Sequence, residues 1–234
     1  MYDPIMAYFV LVPGAWLDAS VFDAVCEQLA DRGHSAKALT MPGIVEPTER
    51  KVTLGTWVDH VVNEVQQIAE AEVVVLVGHS FAGIVVGPAS VRLGSVVERL
   101  VFVDANLPEP GRSFADSWSS SGQEWLANQI EQGLGYWPPD LEQDETGLSD
   151  ADQATLLACA HPMPAGPLYD PAPNRVFPDG LRTSYIHCTI PRPVLPASVV
   201  STAADCGWTI AEIAASHWPM VCSPSRLCDV LSAS

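Results

Sequence analysis

Two hydrophobic periods alternate along the chain. Ala7 to Val12, Glu72 to Val77 and Leu100 to Val103 are short, nearly unbroken apolar runs, many of their residues β-branched. Runs of this length and type predict strands buried on both faces of a parallel sheet. His34 to Leu39 predicts a weaker strand, and Arg182 to Cys188 and Trp208 to Ile213 predict two more. Between these runs the apolar positions recur at helical spacing. Val21, Phe22, Val25 and Leu29 form one stripe, for which Ser20 is the expected cap with Asp23 as its partner. Leu54, Trp57, Val58, Val61, Val62, Val65, Ile68 and Ala69 form the clearest stripe. Ile84 to Val86 with Ala89 and Val91 predicts a buried helix, Pro196 to Ala204 another, and Ser223-Pro224 opens a last one. Alternating strand and helix predicts an α/β fold: a mostly parallel sheet of about six strands with helices on both faces.

The alternation lapses between Leu107 and about Gly180, where Pro, Gly, Trp and acidic residues replace strand patterns. Gly122 to Gln132 reads as a helix, and Ser149 with Asp152 caps another running to Cys159. The expected organisation is a core of residues 1–107 and 181–234 with a helical cap insertion at 108–180. Trp118, Trp125, Tyr136, Trp137 and Tyr169 favour a packed cap over a loose linker. Its expected place is the carboxyl edge of the sheet, where open α/β sheets bind ligands.

Composition narrows the picture. At 234 residues and 48% apolar, the chain suits one domain with a sizeable core. A net charge of −17 argues against nucleic acid and anionic membranes as partners. No apolar run is long enough for a transmembrane helix, and Met1 to Pro4 lack the basic region of a signal peptide, so the expected location is cytoplasmic. The six cysteines contain no C-x-x-C pair, which favours reduced thiols, and no metal or cofactor is expected. The expected partner is a small-molecule substrate, with a homodimer left open.

Chemistry concentrates in Gly78-His79-Ser80-Phe81-Ala82-Gly83, between a strand and a helix. A serine on such a turn, with small residues two before and two after, fits a nucleophile elbow; Gly78 and Ala82 are both small. The bland alternative is a serine that only caps the helix. A serine hydroxyl needs a base, and His217, just after the last strand, would emerge at the same sheet edge. The other histidines lie on strands, on the long helix, in the insertion or, for His79, beside the serine. The loop where the acid is expected, Thr189-Ile190-Pro191-Arg192-Pro193, holds no carboxylate. Asp104, at the end of the preceding sheet strand, is the first candidate; Asp205, or a dyad without acid, are the alternatives. Backbone amides of Ala15 and Phe81 are the expected oxyanion donors. Gly14, Trp16, His79 and Trp218 are the expected pocket residues.

The elbow, the Pro13-Gly14-Ala15-Trp16 loop and the Ser216-His217-Trp218-Pro219-Met220 segment together resemble the α/β-hydrolase superfamily, and more narrowly the small esterases related to plant methylesterases and hydroxynitrile lyases. Val103-Asp104-Ala105 through Gly111 also resembles the start of that group's cap. The likeness runs from Ala7 to Leu231. The chain departs from the group in having Pro13 where histidine is common, no acid after Cys188-Thr189, and Trp218 where the lyases carry lysine. The resemblance implies an α/β-hydrolase fold and a serine hydrolase cleaving an ester, thioester or lactone of a small, fairly apolar substrate. The competing expectations are a lyase or cyclase using the same pocket, and a binding protein on a degraded hydrolase fold.

Overall fold

The computed structural model describes residues 6–46, 48, 51–68, 73–141 and 148–233. Ala69 and Glu72, assigned above to a helix and a strand, lie outside them. Strands β1 (Ala7–Val12), β2 (Ser35–Ala38), β3 (Val73–His79) and β4 (Val97–Val103) are interleaved with helices α1 (Asp23–Asp31), α2 (Leu54–Ile68) and α3 (Gly83–Leu93). The insertion holds α4 (Ser120–Gln132), α5 (Asp150–Ala158) and α6 (Gly166–Tyr169), with a two-stranded ribbon of β5 (Tyr136–Trp137) and β6 (Met163–Pro164). The chain then runs through β7 (Arg182–Cys188), α7 (Ala197–Cys206), β8 (Thr209–Ile213), α8 (Pro219–Cys222) and α9 (Pro224–Ala233).

The main sheet has the order β2-β1-β3-β4-β7-β8, and every neighbouring pair is parallel. Period-two alternation sorts its side chains onto two faces. Val10, Val12, Leu76, Leu100 and Phe102 join the stripe of α2 and the buried face of α3 in one core. Phe9, Leu11, Val75, Val77, Val101 and Ile186 join α1 and α9 in the other. Covering both faces explains why the central strands read as unbroken apolar runs. Parallel pairing also brings the loops after β1, β3, β4, β7 and β8 to one edge.

The insertion packs rather than dangles. Its Trp137 ring lies 4.2 Å from Trp16, and Phe114 lies 5.0 Å, edge-on, from Phe81. Trp125 stacks on Trp118, 6.1 Å between ring centroids, and Trp118 meets Trp137 edge-on, while Trp125 and Tyr169 keep 39% and 43% of their surface exposed. Among the described residues, no helix is long and apolar enough to cross a membrane. All six cysteines are unpaired.

One local expectation is corrected. The segment before α1 starts as a 3-10 turn, Ala19–Phe22, capped by Asp18, whose carboxylate accepts from Ser20 N–H; Ser20 is not the cap. Asp18 stands two residues before Ser20, where its carboxylate meets the first free N–H of the turn, and its other oxygen is held by His161 of the insertion; the Ser20 hydroxyl turns instead toward Asp18 and Cys159. The last helix, α9, opens at Pro224 as expected, and the short α8 before it is too brief to leave a periodic signal. At α5, by contrast, Ser149 and Asp152 form the expected capping box.

Gly83 opens α3 against the loop after β4. A Cβ there would sit 2.2 Å from the Asn106 carbonyl oxygen and 3.0 Å from Ala105 Cβ. On an open helix, Gly to Ala gains about 1 kcal/mol. Overpacking against backbone costs about 1–3 kcal/mol and more where nothing can yield. Gly83→Ala is therefore expected to lose about 2 kcal/mol net in urea unfolding. Stability at or above wild type would show that the Asn106 loop moves aside at little cost.

Candidate active site

β3 ends at His79, and the chain reverses into α3 through a 3-10 turn at Ser80–Ala82. Ser80 takes φ 51°, a left-handed conformation that costs a non-glycine residue about 1–2 kcal/mol. The turn closes only because its neighbours are small. A Cβ on Gly78 would lie 2.5 Å from Val86 Cγ2, and one on Gly14 would lie 2.9 Å from Ser80 Cβ. Asn106 N–H donates to the Ser80 carbonyl at 2.9 Å, tying the turn to the loop after β4.

That loop begins with Asp104, also at positive φ (43°), whose N–H donates to Ile186 O at 2.8 Å. Its side chain is only 7% exposed. Four groups approach the carboxylate. His217 Nδ1 lies 2.6 Å from Oδ2, and Arg192 Nη2 lies 2.9 Å from the same oxygen. His187 Nδ1 and Cys188 N–H lie at the longer distance of 3.4 Å from Oδ1. Burial pushes the Asp104 carboxyl up. The His217 hydrogen bond and the charges of His217 and Arg192 outweigh it and hold the group below the usual carboxylate range. Asp104 is thus an acceptor at neutral pH.

The tautomer of His217 follows. A carboxylate only accepts, so His217 Nδ1–H donates to Asp104. Nε2 then carries the lone pair, and Ser80 Oγ–H donates to it at 2.9 Å. Ser80, His217 and Asp104 form one hydrogen-bonded array from the ends of β3, β8 and β4. Asp205 falls in the last turn of α7, and the alternative of a dyad lacking an acid is at odds with these distances.

His79 flanks the array, its ring 4.8 Å from that of His217. Its Nε2–H donates to the His217 carbonyl at 2.7 Å, and its buried Nδ1 has no partner. Burial first, and the charge of His217 second, push this imidazole down to about 3. It fixes the backbone of His217 as a neutral group.

A cavity of about 190 Å³ opens over Ser80. Gly14, Ala15, Trp16, His79, His217 and Trp218 line it, so every expected pocket residue faces one space. Leu17, Asp140 and Leu141 line it too, and the sequence reading did not flag them. The Phe81 side chain turns away into the core, 1% exposed, leaving its backbone at the start of the elbow helix. A separate cavity of about 250 Å³, between α7 and the Pro108–Phe114 stretch, includes neither Ser80 nor His217.

A serine on a strand-to-helix reversal at the carboxyl edge of a parallel sheet, with an imidazole and a carboxylate in line, defines the α/β-hydrolase class. The chain belongs to the alpha/beta hydrolase family, whose profile matches residues 9–230. Its relatives include the carbendazim-hydrolyzing esterase of Nocardioides sp. (strain SG-4G), 33% identical over 111 residues; the matched stretch spans 46% of each chain, under half of that esterase's length. Probable hydrolase R7 of Phoma sp. is 25% identical over 96% of both chains. Among solved structures, an extracellular α/β-hydrolase from a Paenibacillus species superposes with a TM-score of 0.84 at 23% identity, covering 97% of this chain and 98% of its own. That protein is described as homologous in structure and function to tobacco salicylic acid binding protein 2.

The neutral burial of His79 has a thermodynamic signature. A histidine whose folded value lies near 3, below its ordinary 6.5, gives stability that is present above about pH 6.5 and lost as pH falls toward 3. Each pH unit inside that window costs about 1.4 kcal/mol from this group. Urea unfolding at pH 7 and pH 5 should show His79→Gln losing about 2 kcal/mol less than wild type on acidification. Equal losses would mean that His79 does not remain neutral in the fold.

Proposed function

We propose that this chain is a serine hydrolase acting on an ester, thioester or lactone of a small, uncharged, fairly apolar substrate. The observation that carries the reading is the continuous array from Ser80 Oγ through His217 to Asp104, at 2.9 and 2.6 Å. Ser80 Oγ attacks the carbonyl while His217 Nε2 takes its proton. The imidazolium then gives that proton to the leaving group, and Asp104 offsets its charge throughout. Water, activated by His217, releases the acyl group from Ser80. The Phe81 amide at the elbow and the Ala15 amide, whose residue lines the cavity, would hold the oxyanion. This sequence of steps uses no cofactor.

The walls support the substrate class. Trp16, Leu17, Leu141 and Trp218 are apolar, and Asp140 places a carboxylate on the rim that opposes anionic ligands. Leu141 and Asp140 come from the insertion, which we read as a cap over the site. The names of the relatives, esterase and hydrolase, point the same way.

Two outcomes test this. Intact-mass analysis after a fluorophosphonate probe should show one adduct on wild type and none on Ser80→Ala; well-folded wild type without an adduct would overturn the reading. On a panel of short-chain p-nitrophenyl esters, Asp104→Asn should lower kcat by about 10³- to 10⁴-fold, because the amide favours the wrong imidazole tautomer. Near wild-type turnover would remove Asp104 from the array.

A further inference from the structure

The loop that follows β7 contains no carboxylate, yet it reaches the array with a cation. Arg192 Nη2 lies 2.9 Å from Asp104 Oδ2 and 3.2 Å from His217 Nδ1. Since His217 Nδ1 is itself a donor, the second contact is not a hydrogen bond; it sets two N–H groups competing for one oxygen. The backbone holds this arrangement in place. Thr189 N–H donates to Ile213 O at 3.0 Å, and Ile190 N–H to Ala215 O at 3.1 Å. The base of the Arg192 loop is thereby fixed to the segment that carries His217. Pro191, Pro193 and Pro196 restrict the remainder.

We propose that Arg192 is a positioning residue that keeps Asp104 shared between two donors and so extends the reaction to more acidic pH. This rests on the reading of Ser80, His217 and Asp104 as the reacting array. Protonating His217 from solvent places a positive charge beside the guanidinium. Coulomb repulsion opposes that charge. Arg192 also draws on the oxygen that would offset that charge, so sharing Asp104 acts in the same direction.

The other groups facing the array do not supply this charge. His79, at the end of β3, stays neutral until about pH 3. From β7, Tyr185 and Cys188 are pushed up, by burial first and by Asp104 second, and remain uncharged at neutral pH. His187, also from β7, sits 3.4 Å from Asp104. Cys222 of α8 reaches Ser216 beside His217, and Asp140 of the insertion lines the same cavity. Among these described groups Arg192 is the permanent cation. Its side chain is 62% exposed, so solvent screens the interaction and its effect is modest.

The test compares wild type, Arg192→Gln and Arg192→Lys. Gln keeps a hydrogen-bond donor and deletes the charge; Lys keeps the charge. The acid-side midpoint of the kcat/KM profile on p-nitrophenyl acetate should move up by about half a pH unit in Arg192→Gln. Arg192→Lys should return most of the way, and the difference should shrink at about 1 M salt. A second readout needs no turnover: the pH midpoint of the His217 ring resonances by NMR should move in the same direction. Midpoints that coincide in wild type and Arg192→Gln by both readouts overturn the inference. A displaced NMR midpoint in a protein that turns over no ester, thioester or lactone overturns the hydrolase reading, and with it the extended pH range, while the coupling of Arg192 to His217 stands.

Discussion

The left-handed backbone of Ser80 is the constraint on which the site depends. At φ 51° a serine sits where its own Cβ is unwelcome, and the surrounding fold must hold it there. The holding is steric as much as bonded. Gly78 leaves room for Val86 inside the turn, Gly83 lets α3 meet the Asn106 loop, and Gly14 lets the loop after β1 pass against the serine itself. One hydrogen bond, from Asn106 N–H to Ser80 O, locks the turn to the end of β4. Three strand ends therefore converge on a single residue, and the parallel order β1-β3-β4 makes that convergence available.

The same topology accounts for an acid on β4. β4 lies between β3 and β7, next to the strand that carries the serine. An acid leaving its end is one strand away from Ser80, and His217, arriving from beyond β8, spans the gap. Asp104 also takes a positive φ (43°), and its N–H is paired with Ile186 of β7, so its side chain is aimed by backbone on both sides. Burial alone would raise its proton affinity. Hydrogen bonding and positive charge reverse that direction, and ionisation of this carboxylate is thus a property of the assembled site rather than of the residue.

How much was legible in the sequence follows from the range of each interaction. The sheet could be read because strands buried on both faces need short β-branched runs, and the stripe of α2 because its buried side recurs every turn. The elbow could be read because its requirement for small residues is local. Asp104 was found by asking which carboxylate leaves the correct sheet edge. Asp18 is harder to read as the cap because it and Ser20 are both good capping types two residues apart, and the start of the turn chooses between them. Arg192 carries no local signal of its place at the site, because its contact with Asp104 joins positions 88 residues apart. Leu17, Asp140 and Leu141 carry no motif at all; only packing brings them to the cavity.

The link between insertion and first loop bears on how such a site can select its substrate. Trp16 O accepts from His161 N–H at 2.8 Å, Asp18 N–H donates to Cys159 O at 3.1 Å, and Leu17 pairs with Ala160 as a β-bridge. Asp18 and His161 add a side-chain bond at 2.8 Å. Trp16, strained at φ 68°, also packs its ring against Trp137. The segment next to Ala15 is thus held by the insertion from one side and by Ser80, through Gly14, from the other. Moving the insertion away would break these two backbone hydrogen bonds and the Asp18–His161 bond together. A wall built this way cannot widen for a larger ligand without disturbing the backbone beside the serine. Under the proposed function, the same few residues that line the cavity of about 190 Å³ would set both the size of the ligand and the geometry around Ser80.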